Sequence, residues 1–377
     1  MRRVASLVLL LALALPLAPA SSGQAPTVSG QAGQQAPPLP PSPEEEFRLR
    51  LRVDLVATPL VVHDRRGEFL YDLRREEITV LDNGVPQQIG NFELASGPIS
   101  LVLVVNTSRN LTGLLGQVRS SGVLFPSYIL GETGEGAVIT FDDDVTLHQD
   151  FTSDMDAFMR AVERIPSGDA GNRLADAFDL AVAKLQERPE GRRRVVVIVS
   201  EAKNSGSTAR TAVPLRYAQI HNVSVYTIHL TELQSSLRTR PEDSPSPRST
   251  FPPGVMATPQ TPGSVQTPNT DMQRQSERAD LGNLVELVVR GVQDSVGDNV
   301  LQVYSRGTGA LHYSPSSRTG LEDSLNQIGQ DLHNQYLLSY RPSNRDETGF
   351  HRIQINISRP GVRVRARPGY YVGIPPS

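Results

Sequence analysis

Three oxygen-bearing side chains stand at alternate positions in Asn106-Thr107-Ser108-Arg109-Asn110. Asn106 and Asn110 offer amide carbonyl oxygens and Ser108 a hydroxyl. At spacing i, i+2, i+4 on a loop entering a helix, such groups accept from a ligand or cap the helix. The element in front of them gives the loop its place. Ile99 to Val105 is a short, nearly unbroken apolar run, the pattern of a strand buried on both faces at the centre of a parallel sheet. In open α/β sheets, binding and chemistry gather in the crevice beyond the carboxyl ends of the strands. The three polar residues sit at that end.

The elements that must hold this loop follow from the rest of the chain. Arg2 and Arg3, the apolar stretch Val4–Leu17 and Ala18-Pro19-Ala20 read as a secretory signal over 1–20. It implies a periplasmic or secreted protein with no transmembrane segment after cleavage. Residues 21–46 are rich in Pro, Gln, Ser and Gly and read as a disordered linker. From 47 to 95 short alternating runs predict strands: Phe47–Asp64 with a break near Pro59, then Phe69–Leu73, Glu76–Leu81 and Pro86–Phe92. Asp82-Asn83-Gly84 is a hairpin signal.

Between 96 and 335 apolar strands alternate with helical spacing. Strands are expected at Gly136–Phe141, Arg194–Val199 and Val223–Leu230, with an edge strand at Leu311–Tyr313. Helices are expected from Leu111 to Ile129 with a kink at Pro126, after a capping box at Ser153–Asp156, over Leu174–Leu185, Thr208–His221, Ala279–Val296, Val300–Tyr304 and Leu321–Leu332. This alternation means a parallel sheet covered by helices on both faces. Residues 231–277 are dense in Pro, Ser, Thr and Gln and read as a disordered insertion, a spacer or a partner-binding loop. From 336 to 377 the period returns to two. Those strands are expected to join the N-terminal ones in a small antiparallel β-sandwich, because neither group alone buries its faces.

The stretch Pro98–Asn110 resembles the first strand and metal-site loop of von Willebrand factor type A domains, whose pattern is Asp-x-Ser-x-Ser. Val61-Val-His-Asp-Arg-Arg-Gly67 and Ile78–Gln87 resemble the β-region before the A domain in secreted, A-domain-related proteins abundant in acidobacteria. Asn334–Pro342 and Arg365–Tyr371 resemble that family's C-terminal signature. The resemblance implies a doubly wound, mostly parallel, Rossmann-like α/β sheet inserted in the β-sandwich. It also implies a divalent cation held on oxygens from three loops. Asn106 stands where the family has its first Asp, Ser108 matches a Ser, and Asn110 replaces the second Ser. Asn172 falls at a Thr position ahead of a matching Leu-x-Asp-Ala run, and Glu201 replaces the second Asp. Only Ser108 keeps the family residue, and two carboxylates become one. The expected cofactor is therefore none, or a weakly bound magnesium or manganese ion. In the alternative, these groups cap the helix and hydrogen-bond one another, with Lys203 and Arg109 filling the cation's place.

Composition removes other classes. There is no cysteine, which excludes disulfides, thiolate metal sites and cysteine nucleophiles. A net charge of −3 gives no global field toward nucleic acid. The seven histidines are scattered, and no Gly-x-Ser-x-Gly elbow, His-Glu-x-x-His pair or phosphate-cradling Gly-Lys-Ser occurs. Asp142-Asp143-Asp144 lacks calcium-loop spacing and reads as a solvated turn. Arg363, Arg365 and Arg367 alternate with Val362, Val364 and Ala366 as the solvated face of a half-buried strand. No enzyme is expected. The sequence points to an extracytoplasmic module that binds a protein partner through the top of an A-type sheet, or to an envelope assembly component without a regulated ligand.

Overall fold

A computed structural model of the chain describes residues 55–230, 300–344 and 347–372. The signal over 1–20, the linker 21–46, the first half of the opening strand, the insertion 231–277 and the helix expected at Ala279–Val296 lie outside the described residues. Strands β1 (Val56–His63), β2 (Ile78–Asp82), β3 (Val85–Gln87) and β4 (Ile89–Leu94) come first. Then follow β5 (Ile99–Asn106), helix α1 (Thr112–Ser120), β6 (Glu135–Phe141), β7 (Val145–Thr152), α2 (Met155–Glu163), α3 (Leu174–Gln186), β8 (Arg193–Ser200), α4 (Ala212–Ile220) and β9 (Val223–His229). After residue 300 come α5 (Val300–Gly307), β10 (His312–Tyr313), α6 (Arg318–His333), β11 (Tyr336–Tyr340), β12 (Gly349–Ile357), β13 (Arg363–Ala366) and β14 (Gly369–Val372).

Six of these strands form one sheet in the order β10-β9-β8-β5-β6-β7. The pairs are parallel except for β6 with β7. β5 lies inside the sheet, with Leu103 opposite Val138 of β6 and Val197 of β8. All eight of its residues are buried. The strand's period of two splits its side chains between two cores. Leu101, Leu103 and Val105 pack with Leu114 of α1, Phe158 of α2 and Leu325 of α6. Val102 and Val104 pack with Phe178 of α3, Leu215 of α4 and Leu301 of α5. Each fully buried leucine contributes about 2 kcal/mol relative to an exposed one.

Local chemistry moved several expected boundaries. The capping residue of α2 is Asp154, not Ser153: its backbone is extended and its carboxylate accepts from Ala157 N. The helix from Leu111 breaks after Ser120 into a 3-10 turn (Ser121–Val123) and a π turn (Pro126–Leu130), as a proline without an N–H dictates. Phe69 makes only a bridge to His63 in place of a strand. The run Pro86–Phe92 divides, because β3 pairs with β2 while β4 crosses to a different sheet and pairs with β11. Strand β7 was not expected. Its half-buried alternation is carried by Val145, Leu147 and Phe151.

The remaining strands make two four-stranded sheets, β13-β1-β11-β4 and β14-β12-β2-β3, with antiparallel pairing throughout. Val56, Leu60 and Tyr340 of the first share an apolar cluster with Val80, Ile353 and Tyr370 of the second. Within that cluster lies a buried polar knot. The Asp82 carboxylate accepts from Tyr340 Oη (2.9 Å) and Tyr370 Oη (2.7 Å) and meets His351 Nδ1 at 2.8 Å. His351 Nε2 lies 2.9 Å from the Glu347 carbonyl. Arginines tie these sheets to the parallel one. Arg365 binds Asp331 and the Gly309 carbonyl, and Arg367 donates to Gln219 O at 2.7 Å.

Candidate functional site

The site is assembled from three strand ends. Asn106 closes β5, Phe141 closes β6 and Ser200 closes β8, and all three strands run parallel. Their loops therefore emerge side by side. Asn106 is fully buried. Its Oδ1 accepts from Ser108 N (2.8 Å), an Asx turn, and its Nδ2 donates to Ser200 Oγ (3.1 Å). The loop before α3 joins through backbone pairing: Gly168 N donates to Thr107 O and Arg109 N to Asp169 O. The loop after β8 joins through a bridge between Asn172 and Ser205.

Four of the five expected residues come together. Asn106, Ser108, Asn172 and Glu201 are all buried, and Asn172 Nδ2 donates to Glu201 Oε1 at 3.3 Å. Asn110 does not join them: it is exposed on a short 3-10 turn, Arg109–Leu111. Lys203 Nζ lies 3.5 Å from Glu201 Oε2, and Arg109 pairs with Asp169 on the exposed rim at 3.5 Å. Two oxygens are left over. Ser108 Oγ and Asn172 Oδ1 are buried and have no hydrogen-bond partner. The bond from Nδ2 to Glu201 fixes the Asn172 amide so that its acceptor is the free atom.

Asp142 was read as part of a solvated turn, and the structure corrects this. Its Oδ2 accepts from Thr107 Oγ1 (3.0 Å) and Asp169 N (3.3 Å), its Oδ1 accepts from Asp144 N, and its carbonyl accepts from Arg173 N. One side chain thus clamps the β5, β6 and pre-α3 loops. The packing is close enough that a Cβ on Gly168 would fall 1.6 Å from Asp142 Oδ2, and one on Gly171 would fall 2.1 Å from Asp143 Oδ1. Asp176 does similar work for the loop after β8, accepting from Thr208 N, Ala209 N and Arg173 Nε. Burial alone would raise the Asp176 carboxyl. The Ala209 and Thr208 amides and Arg173 outweigh it and hold the group below the usual range. The sequence signal for Asp142 was its position directly after a buried strand neighbouring β5.

This donor set does not suit a hard divalent cation. Such ions depend on carboxylate charge and ordered geometry. Glu201 is the one carboxylate among the four gathered residues, and both its oxygens are engaged, by an amide and an ammonium. Among the described residues, no group of three or more His, Asp or Glu side chains is arranged to hold a metal. What the cluster lacks is a hydrogen-bond donor for Asn172 Oδ1 and a partner for Ser108 Oγ.

Residues 101–203 match the family model of the von Willebrand factor type A domain. The chain therefore carries a domain of this type, in agreement with its mostly parallel sheet. No curated protein matches the chain. Among solved structures, an aerotolerance-related membrane protein from Bacteroides fragilis, with multiple mutations to serine, is 11% identical, covers 62% of this chain and 98% of its own, and superposes with a TM-score of 0.38. BatB from Bacteroides thetaiotaomicron is 12% identical over 62% of this chain and 99% of its own, with a TM-score of 0.35.

Proposed function

We propose that this protein is a non-enzymatic, extracytoplasmic binding module, and that its contact surface is the C-terminal edge of the parallel sheet. The reading draws on the basic and apolar start of the chain for location and on the A-type domain for the class of activity. The observation that carries it is the pair of buried, unpartnered oxygens, Ser108 Oγ and Asn172 Oδ1, contributed by two of the loops that emerge at that edge. An orphaned buried polar atom costs about 1–3 kcal/mol. A partner whose docking parts these loops and presents a hydrogen-bond donor, such as a lysine, an arginine or an amide, recovers that cost on binding.

The partner is a protein, because the exposed rim carries both signs of charge: Arg109, Asp169 and Lys203. Contact is metal-free, since Lys203 and the Asn172 amide already occupy the carboxylate that a cation would use. Affinity capture from periplasmic extract tests this. Capture is expected to be equal with and without chelator, and lost with Asn172→Ala. Chelator-sensitive capture would restore a metal-dependent mode, and capture unaffected by Asn172→Ala would place the contact elsewhere.

A further inference from the structure

The opposite end of the parallel sheet carries an unassigned feature. β8 opens with Arg193 and Arg194 and runs for eight residues, about 25 Å, before Glu201. A recess of about 390 Å³ lies beside them. Arg192, Arg193, Arg194, His221 and the carboxylate Glu190 are among the polar residues that line it. Leu55, Pro59 and Leu337, from the antiparallel sheets, form its apolar wall. Leu55 is 52% exposed, an apolar side chain left at the rim.

The two guanidinium groups are held but not neutralised. Arg193 Nη1 donates to Ala95 O (3.3 Å) and Nη2 to Leu332 O (2.6 Å). Arg194 Nη1 donates to His221 O (3.2 Å) and Nη2 to Arg188 O (3.1 Å). All four acceptors are neutral carbonyls. Leu332 and His221 lie at the carboxyl ends of α6 and α4. Such ends carry only about half a negative charge each. They orient the arginines and leave positive charge over. Among the described residues, neither group forms an ion pair with a carboxylate. Arg192, the third arginine of the run, differs: it pairs with Glu135 at 3.0 Å, a carboxylate it shares with Arg188. Arg194 Nε is buried and has no hydrogen-bond partner. Burial depresses the pKa of both Arg193 and Arg194, against the raising influence of Asp331 and Tyr226 on the first and Glu190 on the second. His221, depressed by burial and then by Arg194, is predominantly neutral near pH 7.

We propose that this recess binds a small ligand with an oxyanion head and a short apolar body. The head, a carboxylate or a phosphate, accepts from the Arg193 and Arg194 guanidinium groups that line the recess. The body rests on Leu55, Pro59 and Leu337. The volume falls within the range of small-molecule pockets, about 300–1,000 Å³. Since its walls come from both the parallel and the antiparallel sheets, a bound ligand would bridge them. The site is separate from the partner-binding edge and stands or falls independently of it.

Calorimetric titration of the full chain with hexanoate, hexyl phosphate and neutral hexanamide tests the proposal. At least one anion is expected to saturate, with hexanamide at least about tenfold weaker; whichever anion binds more tightly identifies the head group. Arg194→Met is expected to weaken the anion at least about tenfold. Because Arg194 also holds α4, that variant is paired with Leu337→Trp, which fills the recess from the apolar wall and is expected to abolish binding with the arginines intact. Equal binding of hexanoate and hexanamide, no anion binding below about 10 mM, or an unchanged affinity in Leu337→Trp would overturn it.

Discussion

Two polar clusters of this molecule are both buried, and they are finished differently. In the antiparallel sheets, Asp82, His351, Tyr340 and Tyr370 satisfy one another within 3 Å, and His351 finds the Glu347 carbonyl with its second nitrogen. At the edge of the parallel sheet, Asn106, Ser108, Asn172 and Glu201 are equally buried, yet two of their oxygens are unpartnered. The first cluster is closed and serves to join four strands. The second leaves Ser108 Oγ and Asn172 Oδ1 unpartnered, the feature on which the proposed contact rests.

The comparison is broken most forcefully at Asp82. Asp82→Ala strands an imidazole and two phenols in the core, and a loss of about 3–5 kcal/mol is expected in urea unfolding. A loss under about 1 kcal/mol would mean that the cluster is not the joint described. Next in size is Gly168→Ala, whose Cβ meets Asp142 Oδ2 at 1.6 Å. It should cost about 1–3 kcal/mol by overpacking and weaken partner capture by displacing the loop.

The pH dependence of stability sharpens the contrast. Burial alone would lower the His351 pKa, but the Asp82 hydrogen bond, the Glu347 carbonyl and the Asp82 charge together raise it above 6.5. Its contribution is complete below 6.5 and is lost as pH rises through the raised value. Burial alone would raise the Asp82 pKa, but hydrogen bonds from His351, Tyr370 and Tyr340 hold it below 3.8. Its contribution is complete above 3.8 and is lost as pH falls through the lowered value. Urea midpoints should therefore plateau between the two ordinary values and decline on either side. His351→Gln should flatten the alkaline limb, and an unchanged limb would assign it to another group.

The smallest effects are expected at the open cluster. Ser108→Ala removes a buried hydroxyl that has no partner, so stability should rise, by about 1 kcal/mol, while partner capture falls. Millimolar magnesium should leave the melting temperature unchanged, because a ligand stabilises only through binding to the native state. A magnesium-dependent rise would show that the cluster accepts a cation after all.

Much of the parallel sheet was legible in the chain. Ile99–Val105 could be placed at its interior because only a strand covered on both faces reads as an unbroken apolar run. The helices at Leu174 and Leu321 announced themselves by spacing. Strand β7 was hidden because its alternation is interrupted by His148 and Gln149, and β4 because nothing in Pro86–Phe92 signals a change of sheet. At the candidate site, Asn106, Ser108, Asn172 and Glu201 were singled out through the family pattern. Asp142 was passed over because three successive carboxylates look alike until one of them is seen under a neighbouring loop.

Local order by itself determined which segments became strands or helices and which ends carried polar loops, since periodicity and capping act over a few residues. Only the tertiary structure decided which polar groups were satisfied. Ser108 and Asn172 are separated by a strand pair and two helices in the chain, and whether their oxygens find partners depends on distances that no short-range pattern encodes. Asp82 met Tyr340, His351 and Tyr370 across more than 250 residues of sequence for the same reason.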